Sequence, residues 1–243
     1  MFDNLSLFVS TVAQGAVLTV EATLVGIVIA AVLSFVFGLA MLSRSRTVRV
    51  VARIYVEIWR GTSEVVQLLF VFFVLPVLIG YQIVPLVAGM VVLGLNFGAY
   101  GAEIVRGAVR SVPKEQYEGC VALSLTPAQR MRRVILPQAL VEMVPPFNNL
   151  FIQLLKGSAL LTLIRVHEMT YQANEVLIDR HISQAWLIWT IVLLFYLVLA
   201  MLITFGMRAL EKWAAKLVGR KPKPVRMRLG AVRSKDILKA GGA

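Results

Sequence analysis

The sequence predicts an all-α polytopic membrane protein of about five transmembrane helices, and three observations predict it. Hydrophobic residues make up 58% of the 243, charged residues only 16%, and mean hydropathy is +0.79, a profile that soluble domains do not reach. Five long apolar runs stand out, at about 14–42, 54–80, 83–105, 136–164 and 185–207, each long enough to span a hydrocarbon core of about 30 Å. The cationic residues, finally, sit between and after these runs, with Arg60 and Lys156 as the exceptions.

The first run follows a segment with Asp3 and no lysine or arginine, so residues 1–13 are expected on the outer side. That N-terminus lacks the basic start of a signal peptide, so the run is expected to be retained as a span. Arg44, Arg46, Arg49 and Arg53 separate the first two runs. Arg106, Arg110, Lys114, Arg130, Arg132 and Arg133 separate the third and fourth. Both loops are expected to be cytoplasmic, and the turn around Gly80 and Gln82, which is uncharged, external.

A membrane domain over 14–210 then ends in a basic tail, 211–243. The N-terminus is expected outside and the C-terminus inside. The net charge of +12 is accounted for by orientation and attraction to anionic lipid, and the tail lacks the interleaved aromatics of a nucleic-acid surface.

Ionisable residues inside spans are costly and usually face protein or a water path. Glu21, Glu57, Arg60, Glu64, Glu103, Glu142 and Lys156 are of this kind. Glu57 with Arg60, and Glu103 with Arg106, have i, i+3 spacing and read as interfacial ion pairs. In the third run Gly94, Gly98 and Gly101 invite close helix packing. Asn96 among them fits either a packed interface or a solute contact.

The fourth run is expected to be broken by Pro137, Pro145 and Pro146. Its Asn149, Gln153 and Lys156 share one face, lining either a solute path or a subunit interface. Between the third and fourth runs, 111–136 is too polar to span. Pro113 opens a short helix there, and Thr126 before Pro127 is an N-cap for another.

No phosphate loop, HExxH, GxSxG or set of cysteine ligands is present; Cys120 is the single cysteine. The chain is therefore expected to be no enzyme, to hold no cofactor or metal, and to draw energy from elsewhere. His167 and His181 read as surface residues. A secondary transporter would need two equal halves, which five spans cannot form; a structural or assembly membrane protein remains the other alternative.

The segment Ile58 to Gln67, with Arg60, Gly61, Thr62 and Gln67, resembles the FRGTP...VQL signature of permease subunits of bacterial polar amino-acid ABC importers, with Ser63 where proline is usual. The stretch EQYEGCVALSLTPAQRMRRVILPQA, Glu115 to Ala139, resembles the cytoplasmic EAA loop of that family. Its pattern falls on Glu118, Gly119, Cys120, Ser124, Leu136 and Pro137, with two alanines and the glycine replaced by other small residues. Tyr100 to Val112 and Asn149 to Leu160 resemble further family segments.

The resemblance implies the type I importer permease fold. It also implies an ATPase subunit that binds and hydrolyses ATP and receives the EAA loop, an extracytoplasmic solute-binding protein, and a second permease subunit, all at the bacterial inner membrane. Among subgroups the chain is most similar to permeases of ectoine and hydroxyectoine uptake. Asn96, Asn149, Gln153 and Lys156 would then line the route, and the fourth helix would hinge.

Overall fold

The computed structural model describes residues 4–219, and every regular element among them is helical. The principal helices are α1 (Leu5–Ala40), α2 (Arg46–Gly61), α3 (Glu64–Ile79), α4 (Pro85–Ser111), α5 (Lys114–Ala122), α6 (Pro127–Ile164) and α7 (Ala185–Leu217). Helices α1, α4, α6 and α7 are each long and apolar enough to cross a membrane. Helices α2 and α3 together make a fifth candidate, bent by 101°.

The packing is inverted relative to a water-soluble bundle. From Gly15 onward the buried face of α1 is small: Gly15, Thr19, Ala22, Thr23, Gly26, Ala30, Ser34 and Gly38. The large residues Val17, Leu24, Val28, Val32 and Val36 are exposed. Lipid tails are as apolar as leucine, so burying bulk gains little there, whereas small residues let backbones approach and gain dispersion contacts.

The partner of this stripe is α4. A methyl group at Gly94 would lie 2.5 Å from Ile29 Cγ2, one at Gly38 would lie 2.7 Å from the Ala102 carbonyl oxygen, and one at Gly101 would collide with Ser34. The expected role of the α4 glycines in close packing is thus met. Ser34 Oγ bridges the seam, donating to Ala30 O at 2.6 Å and to Gly98 O at 3.3 Å.

Three expectations need correction. Helix α1 starts at Leu5 rather than near residue 14, because Phe8 and Val12 extend the apolar pattern and pack on Met169, Leu177 and Ile188. The 54–80 run is not one continuous helix: Thr62 (φ −118°, ψ 155°) and Ser63 (φ −69°, ψ 132°) are extended and bend it. The prolines of α6 do not break it either. Helix continues through Pro145 and Pro146, and the irregular turn is a π turn at Met131–Ile135, just before Pro137.

The loop after α4 folds as its capping residues dictate. Thr126 and Gln129 form a capping box, with Thr126 N donating to Gln129 Oε1 at 3.0 Å and Gln129 N to Thr126 Oγ1 at 3.3 Å. Helix α5 closes in a Schellman turn: Leu125 N donates to Cys120 O at 3.0 Å and Ser124 N to Val121 O at 2.9 Å. Ser124 therefore sits in the left-handed region, φ 54°.

Position 124 thus suits a glycine because of its backbone torsion. Ser124→Gly is expected to stabilise the chain by about 0.5–1 kcal/mol, seen as a rise of a few degrees in the heat-aggregation midpoint in detergent.

Residues 220–243 lie outside the described residues, and with them most of the expected basic tail. The part from 211 to 217 continues α7.

Candidate functional site

The break between α2 and α3 is held open by two side-chain amides. Gln67 Nε2 donates to Trp59 O at 2.9 Å and to Thr62 Oγ1 at 2.5 Å. Asn96 Nδ2, arriving from α4, donates to the same Trp59 O at 3.0 Å and to Gln67 Oε1 at 2.8 Å. Carbonyls that a continuous helix would have satisfied internally thus find side-chain donors, which a non-helical backbone at membrane depth requires. Asn96 is therefore first a clamp on the break.

The torsions of the break also suit the residue usual in the family signature. Ser63 is at proline's φ, Thr62 has the extended conformation that a following proline demands, and the Ser63 side chain caps nothing. Ser63→Pro is expected to stabilise by about 0.4–1 kcal/mol through the unfolded chain. A lowered heat-aggregation midpoint would contradict this.

Beside the break a cavity of about 520 Å³ opens between the start of α3, the middle of α4 and the end of α6. Glu64 enters it from α3, Asn96, Phe97 and Tyr100 from α4, and Gln153 and Lys156 from α6. Three of the four expected route residues converge here. Asn149 does not line the cavity; it is exposed one turn earlier on α6.

Tyr100, Phe97 and Glu64 were not among the expected route residues. The spacing of Tyr100, four after Asn96, was the available signal. The volume falls in the range of small-molecule sites, and the lining is mostly polar, with Phe97 and Leu160 as its apolar wall.

Of the two expected ion pairs, one forms and the other is replaced. Glu103 binds Arg106, whose Nε donates to its Oε2 at 2.7 Å. The other Glu103 oxygen faces Arg60 Nη1 at 3.9 Å. Arg60 therefore turns across to α4 rather than back along its own helix to Glu57. Its guanidinium also lies 5.0 Å from the centre of the Tyr100 ring, an attractive cation–π geometry.

In the 112–126 loop, Glu118 and Gly119 are exposed and Cys120 is buried. A methyl group on Gly119 would meet nothing within 4 Å, so no contact within the chain demands a small residue there. Leu136 and Pro137, which end the expected motif, are half-buried at the π turn.

A second polar centre escaped the sequence reading. Glu168 is fully buried behind a left-handed turn at Arg165. Its Oε1 accepts from Thr162 Oγ1 at 2.6 Å and from Tyr171 N at 2.9 Å, and its Oε2 from Tyr196 Oη at 3.3 Å and Thr19 Oγ1 at 3.5 Å. Burial raises its pKa above the ordinary carboxyl value, the hydrogen bonds partly opposing this. The histidines pack nearby, His167 on Tyr171 and His181 on Phe8.

Comparison with known proteins places this architecture. Residues 22–216 match the family described as binding-protein-dependent transport system inner membrane component. A protein of Sinorhizobium fredii described as "Probable amino-acid ABC transporter permease protein" is 41% identical over 209 residues, covering 84% of this chain and 87% of its own length. The glutamine transport system permease of Escherichia coli is 36% identical, covering 82% and 90%. The L-cystine transport system permease of Bacillus subtilis is 32% identical, covering 83% and 87%.

Among solved structures, an amino acid ABC transporter superposes with a TM-score of 0.79 at 28% identity, over 88% of this chain and 98% of that one. The MetNI methionine ABC transporter shares the fold, with a TM-score of 0.69 at 21% identity over 84% and 96%. The family is one of transport components rather than enzymes. With its bundle of apolar helices and a match that runs from α1 into the last turns of α7, the chain belongs to the inner membrane components of binding-protein-dependent transport systems, as a multi-pass membrane protein.

Proposed function

We infer that the chain is the permease subunit of an ATP-driven importer of a zwitterionic polar amino acid or amino-acid-derived solute. The observation that carries this is the pair of opposite charges, Glu64 and Lys156, lining one cavity of about 520 Å³ with the amides of Asn96 and Gln153. An α-amino acid presents one carboxylate and one ammonium. Lys156 suits the first, Glu64 the second, and the amides supply both donors and acceptors. The relatives named for glutamine and cystine carry such zwitterions; ectoine and hydroxyectoine, the finer candidates, share the same charge pattern.

In this reading the N-terminus is outside and the C-terminus inside, as the cationic loops favour. A solute-binding protein delivers solute to the outer face, and a second permease subunit, identical or similar, completes the path. The exposed face around Glu118 and Gly119 docks a separate ATPase subunit, which binds the ATP. The basic tail lies along anionic lipid.

The test is uptake of labelled ectoine and a panel of polar amino acids by cells with and without the chain. Glu118→Arg probes the coupling loop and Lys156→Ala the cavity. Loss of one solute's uptake in the deletion and both variants is the expected result. Unchanged uptake of every solute in the deletion would sink the transport reading, and normal uptake by Lys156→Ala would remove the cavity from the route.

A further inference from the structure

The polar stripe of α4 does not stop at the cavity. Asn96, Tyr100 and Glu103 follow one another at i, i+4 and i+7, and Arg106 continues the line toward the 112–126 loop. Past the Arg60–Tyr100 contact a second cavity, of about 490 Å³, lies between α2 and α4. Arg53, Glu57 and Arg60 line it from α2, Glu103 and Arg106 from α4. Tyr100 walls the first cavity and Arg60 the second, so this one pair partitions them.

The charges of the second cavity do not balance: three guanidinium groups face two carboxylates. Glu103 is engaged by Arg106 at hydrogen-bond distance and by Arg60 at 3.9 Å. Glu57 stands one turn from Arg53 on one side and Arg60 on the other. One positive charge is left over in an open cavity of solute size, where Arg53, Glu57 and Arg60 are exposed, and a guanidinium fork matches a carboxylate in both shape and charge. Of the three, Arg106 is fixed by its short bond, whereas Arg60 is held by a longer ion pair and a ring face.

We propose that this second cavity is a carboxylate-binding station. The solute occupies it after leaving Lys156; Arg53 and Arg106 take its carboxylate, and Arg60 swings off Tyr100 to let it pass. This rests on the importer reading above. It adds to that reading a second site, on the side of the partition nearer the docking loop, specific for a solute with a free carboxylate.

The experiment uses the whole complex, permease with ATPase and binding protein, in proteoliposomes, with ATP-driven uptake of the same labelled panel. Arg53→Gln is expected to lower the maximal rate about tenfold, the worth of one charge-assisted hydrogen bond. The concentration of loaded binding protein giving half-maximal rate should stay unchanged. Arg53→Lys should recover part of the rate, and ATP hydrolysis by each purified complex reports its assembly.

Vesicles made with and without phosphatidylglycerol separate the station from a lipid anchor. A loss that is equal in both supports the station; one confined to the anionic vesicles makes Arg53 a headgroup contact and overturns it. Normal uptake by an assembled Arg53→Gln complex overturns it too. If Lys156→Ala abolishes uptake while Arg53→Gln does not, the station alone fails; if Lys156→Ala is also normal, the first cavity fails with it.

Discussion

Gly101→Val will prevent the bundle from assembling, leaving little monodisperse protein in detergent extracts. Even a methyl group at Gly101 collides with the Ser34 side chain, and the Phe147 ring stands 3.1 Å from the same point. Ser34 cannot yield easily, since its hydroxyl is bonded to Ala30 O and Gly98 O. Pushing α1 away would open the seam along its length, including the contacts at Gly94 and Gly38. Overpacking of this kind costs about 3 kcal/mol or more, which is a large part of any fold's margin. Gly107, on the same helix but with nothing within 4 Å of an added methyl, is the control: Gly107→Ala should behave as wild type by size-exclusion chromatography.

Glu168→Ala should be nearly as damaging, and Glu168→Gln mild. Alanine leaves Thr162 Oγ1, Tyr171 N and Tyr196 Oη without their acceptor in a buried site. That costs roughly 3–5 kcal/mol in total, or about 6–20 °C in the midpoint for a chain of this size. Glutamine keeps one oxygen for Thr162 and Tyr171, and hydroxyl rotors can turn to accept from its amide, so a loss below about 1 kcal/mol is expected.

The pH dependence separates wild type from both variants, since neither alanine nor glutamine titrates. Because burial raises the Glu168 pKa in the folded chain above its usual 4.5, protonation favours folding. The contribution is fully present below the unfolded pKa and is lost as pH rises through the folded one. Glu168→Gln should therefore show a flatter midpoint against pH than wild type, with wild type gaining on it as the pH is lowered toward 4.5. A parallel pair of curves would show that Glu168 does not titrate in the folded state.

Much of this was legible in the sequence because bilayer constraints write themselves in long runs. The apolar stretches, the glycines of α4 and the Thr126 cap each follow from one local rule, and the structure has helices, a close helix seam and a capping box there. The bend at Thr62 and Ser63 was not legible. Apolar residues continue across it, and what opens it is an amide from Asn96 on another helix. Arg60 was assigned to Glu57 for a similar reason: i, i+3 spacing is visible in a sequence, whereas Glu103 across the interface is not.

Glu168 illustrates the same limit from the other side. It sits in a short polar connection where no periodicity marks burial, and its burial is made by Gly15, where an added methyl would lie 2.8 Å from the Glu168 carbonyl carbon. In the cavity, Asn96, Gln153 and Lys156 could be found as polar residues in apolar runs. Glu64 was flagged as an ionisable residue inside a run, but its place in the cavity depends on the bend.

The α1–α4 seam and the amide-clamped bend divide the molecule mechanically. Along the seam two backbones touch through glycines and small residues, so neither helix can roll or slide without driving side chains into main chain; together they form a beam. Helix α3, joined to α2 by two extended residues and fastened by the amides of Gln67 and Asn96, is a lever on a clasp. Moving it exchanges the five hydrogen bonds of those two amides and unseats one buried apolar side chain, Leu68, while moving the beam would mean repacking a whole helix interface.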